Sequence, residues 1–459
     1  MDDLTGLLSR AASAAADYRA SLPERPVGRP ADLAALRAGL GADLPEGPTP
    51  AAQVLDDLIA AADPGLVATA GPRYFGFVTG GSLDAATAAE VMTVGWDQNG
   101  FNPVYSPAAL VAEEVAGGWL KQLLGLPATA SVGFVTGAQG ANTVCLAAAR
   151  HHVLAGAGWD VERDGLHRAP AVRVVAGAER HATIDQSLRV LGLGTAALAP
   201  AAAGPNGAID VADLDRVLAA GSDGPTIVCL QAGNVNTGAS DDLRAACQLA
   251  HARGAWVHVD GAFGLWAAAS PATAPQVDGL DLADSWGCDG HKWLNVPYDS
   301  GYAFCSRPDV AAAAMSFTAA YLTGSGGGGP PVLADLTLES SRRARGFATW
   351  AAIRELGRSG VAELVERCCA LARRFASALA AGGVEIGNEV VLNQVLAGFG
   401  DGDRTDRVID AVQRDGTCWM GGTTWRGQRY MRISVSSWST TEADVDRSVA
   451  AILRLAADV

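Results

Sequence analysis

From about residue 70 onward, short apolar runs rich in β-branched residues alternate with helical stretches, and this alternation narrows the choice of fold more than any other feature. The apolar runs fall at 132–136, 172–176, 226–231, 255–260, 285–287 and 301–305, and helical spacing occupies 140–154, 184–191, 211–220 and 243–253 between them. Strands that are apolar at successive positions are covered on both faces, and strand–helix–strand succession makes them parallel. The expected class is therefore α/β, with a mostly parallel sheet clothed by helices. At 459 residues the chain exceeds one ordinary domain. Residues 1–70 predict a helical extension, with helices over 1–22, 31–40 and 50–62. It has too little core to stand alone and is suited to packing on a partner subunit. Residues 71–340 predict the large sheet domain. Residues 341–459 predict a smaller α+β domain, with a helical stretch at 341–382, strands at 391–396, 417–420 and 430–435, and helices at 404–415 and 442–456. A Gly-Ser-Gly-Gly-Gly-Gly-Pro-Pro segment at 324–331 reads as a flexible loop.

Composition removes several functions. The formal net charge of −15 argues against a nucleic-acid groove. No run reaches the roughly 18 uncharged apolar residues of a membrane span. The acidic start, Met1-Asp2-Asp3, is unlike a signal peptide. The eight cysteines form no CxxC pair, so neither a zinc site nor a disulfide framework is expected, and a reducing cytoplasm is.

Only two lysines, Lys121 and Lys292, occur among 34 basic residues. Arginine cannot do lysine's covalent chemistry, because its guanidinium stays protonated, whereas a desolvated amine can attack a carbonyl. Lys292 lies in Asp289-Gly290-His291-Lys292-Trp293, directly after an apolar run. Thirty-two residues earlier, Trp256-Val257-His258-Val259-Asp260-Gly261-Ala262 is an apolar strand ending in a carboxylate. Ligands of open α/β sheets sit at the carboxyl ends of strands, so an amine and a carboxylate on neighbouring strand ends can grip one small planar cofactor. Thr136-Gly137-Ala138-Gln139-Gly140 opens a helix whose first amides suit a phosphate, although a plain strand–turn–helix uses similar residues. His181, in Glu179-Arg180-His181-Ala182-Thr183, is placed to stack on a ring or move a proton, or simply to start a helix. Gln231-Ala232-Gly233-Asn234-Val235-Asn236-Thr237-Gly238 offers amides to a phenolate or carboxylate, and equally forms turns.

Taken in order, these motifs resemble the fold type I pyridoxal-phosphate enzymes, whose fold is aspartate aminotransferase-like. They most resemble the group II amino-acid decarboxylase family, which includes aromatic-amino-acid, tyrosine and glutamate decarboxylases. Arg73-Tyr74-Phe75-Gly76-Phe77, Ser106-Pro107-Ala108, the helix ending at Pro127, and Met431-Arg432-Ile433-Ser434 extend the similarity from about Tyr74 to the C-terminus. The resemblance implies pyridoxal 5'-phosphate as cofactor and no metal. It makes Lys292 the covalent link, Asp260 the partner of the pyridine nitrogen, and His181 and Ala262 the two faces of the ring site. Gly137, Ala138, Gln139 and His291 hold the phosphate, and Asn234 approaches the phenolate or the substrate. Phe77, Phe101, Tyr105 and Arg432 fall on the substrate side, with Phe75 nearby, though the aromatics suit core packing as well. It also implies a cytoplasmic homodimer with shared active sites, acting on an amino acid as its small-molecule substrate.

Two departures bear on the reaction. Family decarboxylases carry a tyrosine on a mobile loop after Tyr321-Leu322, and residues 322–349 here contain neither tyrosine nor histidine. The amide turn ends in Gly238-Ala239-Ser240-Asp241-Asp242 in place of Phe-Asp-Pro. The leading expectation is α-decarboxylation of an aromatic or apolar L-amino acid. Its alternatives are decarboxylation-coupled oxidative deamination to an aldehyde, C–C or C–S lyase chemistry, transamination, and a cofactor-binding regulatory protein without turnover.

Overall fold

The computed structural model describes residues 3–459 except 29, 42, 222–223 and 318–331. The Gly/Pro loop at 324–331, with Tyr321 and Leu322, lies outside the described residues. The chain divides into two compact units, one of residues Ser82–Ala372 and Asn388–Gln394, the other of Met1–Gly81, Arg373–Gly387 and Val395–Val459. Residues 1–70 thus fall in the same unit as the C-terminal segment, and the first unit runs past 340 to Ala372.

The first unit is built on a seven-stranded sheet: β1 (Ser131–Val135), β2 (Arg173–Gly177), β3 (Leu198–Ala201), β4 (Thr226–Gln231), β5 (Trp256–Asp260), β6 (Ser285–Asp289) and β7 (Gly301–Cys305). Their order is β1-β7-β6-β5-β4-β2-β3. The pairs from β3 through β6 are parallel, and β7 runs antiparallel to both of its neighbours. Every residue of β4, β5, β6 and β7 is buried, as continuous apolar strands require when both sheet faces are covered. Strand β3 was not legible. Its Leu-Ala-Pro-Ala sequence is weak for a strand, and it pairs only at the sheet edge, where a proline is tolerated. The helix after β1, Ala138–Gly156, lays twelve buried residues against the sheet. A helical run over Gly346–Ala381 is broken at Gly357, whose φ of 61° lies in the left-handed region.

In the second unit, α1 (Leu4–Ser21), α2 (Leu33–Leu40) and α3 (Ala51–Ala62) match the expected positions and contain no buried residue. The segment that follows α1 is anchored: Leu22, Val27, Ala68 and Tyr74 form a small core with Trp419, and the Val27 N–H donates to the Gly416 carbonyl at 2.7 Å. A four-stranded sheet joins β8 (Glu385–Ile386), β9 (Gln394–Gly398), β10 (Gly421–Trp425) and β11 (Gln428–Ser434). The strand expected at 417–420 lies instead at Gly421–Trp425, because a tight turn to β11 pairs Trp425 with Gln428. Residues 417–420 contribute only an isolated bridge between Trp419 and Tyr74. All eight cysteines are free and buried. No helix among the described residues is long and apolar enough to cross a membrane.

Candidate active site

Lys292 stands on the turn just beyond β6. Buried Trp293 and Leu294 pin that turn, and Gly290 is required within it: a Cβ there would lie 2.3 Å from Tyr302 Oη and 2.5 Å from Ser300 Oγ. Asp260 ends the neighbouring β5, in register with Gly287 of β6 and Gln231 of β4. The Asp289 N–H donates to the Ala262 carbonyl at 2.9 Å, which ties the two strand ends together. The sheet therefore brings the lysine amine and the strand-end carboxylate to one edge.

Asp289, two residues before His291, is the member of the site that the sequence did not reveal. Its carboxylate is buried, accepts from the Ala138 N–H at 2.5 Å, and lies 2.9 Å from Lys292 Nζ and 3.4 Å from His291 Nε2. The rule that singled out Asp260, an acid closing an apolar strand, applies to it as well. Burial pushes the Lys292 amine toward the neutral form, but the Asp289 carboxylate and its hydrogen bond, aided by Asp260, outweigh burial and hold it above the ordinary lysine range. Burial lowers the His291 imidazole, with Asp289 pulling the other way. The Ser300 N–H donates to His291 Nδ1 at 3.2 Å, so the ring proton is assigned to Nε2, facing Asp289.

The helix Ala138–Gly156 begins at Gly137 without a side-chain cap. Its start is packed so closely that a Cβ on Gly301 would lie 2.4 Å from Gly137 Cα, and one on Gly137 would lie 2.9 Å from His291 Cε1. Gln139 is not aimed outward: its Nε2 donates to Ser187 Oγ at 3.0 Å and Thr143 Oγ1 at 3.3 Å, while its Oε1 is buried without a partner. His181 is exposed and caps the helix Ala182–Val190 through Nδ1, which accepts from the Thr183 N–H at 3.3 Å. His181 and Asp260 line one pocket with Arg180, Cys229, Gln231 and Asp241. Burial raises the Asp241 carboxyl to about 6, although it accepts N–H bonds from Ile209 and Gln231.

Asn234 forms the amide turn itself. Its Oδ1 accepts from the Asn236 and Thr237 N–H groups, and its Nδ2 donates to the Glu179 carbonyl at 3.1 Å. Ala262 donates its N–H to Asp260 Oδ1 at 3.3 Å. Phe101 is buried and Tyr105 is exposed in the same unit as Lys292. Phe77 and Arg432 belong to the other unit. Phe77 and Val78 adopt left-handed backbone, φ 52° and 56°, which costs on the order of 1–2 kcal/mol per residue. Phe77 is two-thirds exposed and stacks on Trp419 with centroids 5.4 Å apart. Arg432 sits on β11, its guanidinium pKa lowered by burial.

These residues fit pyridoxal phosphate. They provide a lysine amine, a buried carboxylate on the adjacent strand end, an exposed imidazole, and a close-packed glycine before a helix N-terminus. Residues 34–396 match the family model described as the pyridoxal-dependent decarboxylase conserved domain. Tryptophan decarboxylase 1 of Oryza sativa subsp. japonica is 27% identical over 95% of this chain and 90% of its own length. Phenylacetaldehyde synthase of a Rosa hybrid cultivar is 26% identical, over 78% of this chain and 72% of its own. The crystal structure of Oryza sativa TDC with PLP and tryptamine superposes with a TM-score of 0.92 at 23% identity, covering 100% of this chain and 98% of that one, and so bears on the fold.

Proposed function

Because this chain belongs to the pyridoxal-dependent decarboxylase family, with pyridoxal 5'-phosphate as its cofactor, we propose that it removes the α-carboxylate of an aromatic L-amino acid. The observation that carries this reading is the joint placement of Lys292 Nζ, Asp289 and Asp260 at two adjacent strand ends, in a chain aligned almost end to end with a tryptophan decarboxylase. Once bound, the cofactor withdraws electrons from the substrate Cα. The protein's own groups do the rest. Lys292 supplies the amine for covalent attachment. Asp260 holds a proton at the ring nitrogen, and a buried carboxylate is suited to that pairing because it needs a cationic partner. The amides at Gly137, Ala138 and Gln139, with His291, would hold the phosphate, and the Ala138 N–H, which here donates to Asp289, would be one of its donors. His181 and Ala262 would take the two sides of the ring, and Asn234 shapes the turn that bonds to the Glu179 carbonyl. Phe77, Phe101, Tyr105 and Arg432 serve the substrate, supported by the exposed rings of Phe77 and Tyr105.

We further infer a homodimer with shared active sites, in the cytoplasm. The helices α4 (Asp84–Trp96) and α5 (Pro107–Leu124) support the dimer: α4 leaves Val91, Met92, Val94 and Trp96 exposed, and α5 leaves Val111 and Val115 exposed. An exposed apolar surface of this kind marks an interface. The free cysteines suit a reducing compartment. Light scattering on the purified protein should give twice the chain mass of 46.8 kDa, and a single-chain mass would refute the dimer.

A second reading has its own support. Residues 322–349 contain no tyrosine or histidine, and phenylacetaldehyde synthases are among the relatives. In that reading the amino acid, dioxygen and water yield aldehyde, carbon dioxide, ammonia and hydrogen peroxide. Incubation with a panel of amino acids decides the matter. Amine and carbon dioxide in equal amounts, fastest with tryptophan, tyrosine or phenylalanine, are expected. Aldehyde with peroxide would establish the second reading, and keto acid alone would overturn both.

A further inference from the structure

A line of polar side chains crosses the apolar core beneath the site, and of its members the chemistry proposed above uses only Asp260 at the outer end. It begins at Trp256 and ends at Asp260, on the same strand and, with His258 between them, on the same face of β5. Trp256 Nε1 lies 3.0 Å from Ser285 Oγ. Ser285 Oγ lies 3.1 Å from His258 Nδ1, and His258 Nε2 lies 3.1 Å from Asn142 Oδ1. Asn142 Nδ2 is 3.3 Å from Thr183 Oγ1, which is 3.4 Å from Asp260 Oδ2. Ser285, His258 and Asn142 are wholly buried.

The two ends set the direction of the chain. An indole N–H only donates, and an ionised carboxylate only accepts. Reading from the indole, Ser285 accepts from Trp256 and donates to His258 Nδ1. The imidazole then carries its proton on Nε2 and donates to Asn142 Oδ1. The Asn142 amide donates to Thr183, and the Thr183 hydroxyl proton points out of the core. Burial pushes the His258 imidazole down to about 3, so it remains neutral and keeps that single proton. At the outer end, Thr183 Oγ1 also lies 2.9 Å from His181 Nδ1, so its proton is shared between His181 and Asp260. Gly287 permits the arrangement, because a Cβ there would lie 2.4 Å from Asn142 Oδ1.

We propose that Thr183, Asn142 and His258 are positioning residues: the one-way hydrogen-bond chain fixes the Asp260 carboxylate and the His181 ring in the orientations that receive the cofactor ring. This rests on the reading of Asp260 as partner of the ring nitrogen. The strand and the two helices behind the chain leave Thr183 little freedom to turn away from Asp260 and His181.

The test is cofactor affinity, measured by titrating apo-protein with pyridoxal phosphate and following visible absorbance, beside the thermal midpoint of each apo-protein. Thr183→Val removes the hydroxyl and keeps the shape. It should weaken binding about tenfold while the apo midpoint stays in place, and Thr183→Ser should restore binding. Asn142→Ala, which interrupts the chain one step deeper, should weaken binding in the same direction. Wild-type affinity in Thr183→Val would overturn the proposal. So would equal losses in the Val and Ser variants, or a loss matched by a fall in the apo midpoint. Wild-type protein that takes up no cofactor would instead overturn the underlying reading, and this proposal with it.

Discussion

Lys292→Ala should leave the protein without a visible band near ~420 nm when it is mixed with pyridoxal phosphate, and should lower turnover by about a thousandfold or more. The argument begins with what surrounds the amine. Asp289 lies 2.9 Å from Nζ, and with Asp260 it holds the amine protonated against the pull of burial. A protonated amine is not a nucleophile, so attachment requires the proton to leave and the cofactor to reach a site whose carboxylates favour the cation. Without the amine no other group at the site can substitute: Lys121 lies on α5, with Nζ bonded to the Ala128 and Ala130 carbonyls. Lys292→Arg should fail equally, since a guanidinium restores the charge beside Asp289 but not the chemistry. The measurement is an absorbance scan of both variants beside wild type, followed by product assay. A variant that retains the band, or retains more than about a tenth of turnover, would remove Lys292 from its assigned role.

The largest effect on stability is expected away from the chemistry. Arg342 and Glu113 form a two-pronged pair at 2.6 and 2.7 Å, and each side chain is 2% exposed. Burial pulls the guanidinium toward the neutral form, but the Glu113 carboxylate more than compensates, leaving it above its ordinary value. The site is tightly closed. A Cβ on Gly100 would lie 2.8 Å from Arg342 Nη1, and one on Gly346 would lie 2.5 Å from Glu113 Cγ. Arg342→Met leaves the Glu113 carboxylate buried without its partner cation, and should cost about 3–5 kcal/mol. Replacing both partners, Glu113→Leu with Arg342→Met, should recover most of that, because the penalty comes from the orphaned charge and not from the missing attraction. Denaturant midpoints of the wild type, the single and the double variant decide it. A single variant within about 1 kcal/mol of wild type would show that the cleft admits water.

The residues proposed to carry chemistry stood out in the sequence because rarity and position reinforce one another. A chain nearly empty of lysine places one after a strand, and an acid closes the neighbouring strand, so the sequence alone aligned Lys292 with Asp260. Asp289 closes an apolar strand as Asp260 does, but its contacts are visible only in three dimensions. It reaches the Ala138 amide 151 positions away, which no spacing rule reveals. The polar line through Asn142 and His258 escaped for the same reason, although Trp256, His258 and Asp260 alternate in the sequence. Among the strands, β4 to β7 were readable because they are buried on both faces. Strand β3 is made of small residues and a proline at an edge, and β10 starts with two glycines that read as a turn. The break at Gly357 lies inside an unbroken helical pattern, where a single glycine carries too little signal to end a helix.

The cysteines lend the folded state a chemical silence. Each of the eight thiols is buried, and burial lifts those of Cys229, Cys247, Cys305 and Cys418 to about 12, far from the reactive thiolate. An alkylating reagent therefore meets no target until a segment opens. Because Cys145, Cys229, Cys288 and Cys305 sit within or against the large sheet while Cys418 belongs to the other unit, the order in which the thiols become labelled is a map of which part of the molecule breathes first.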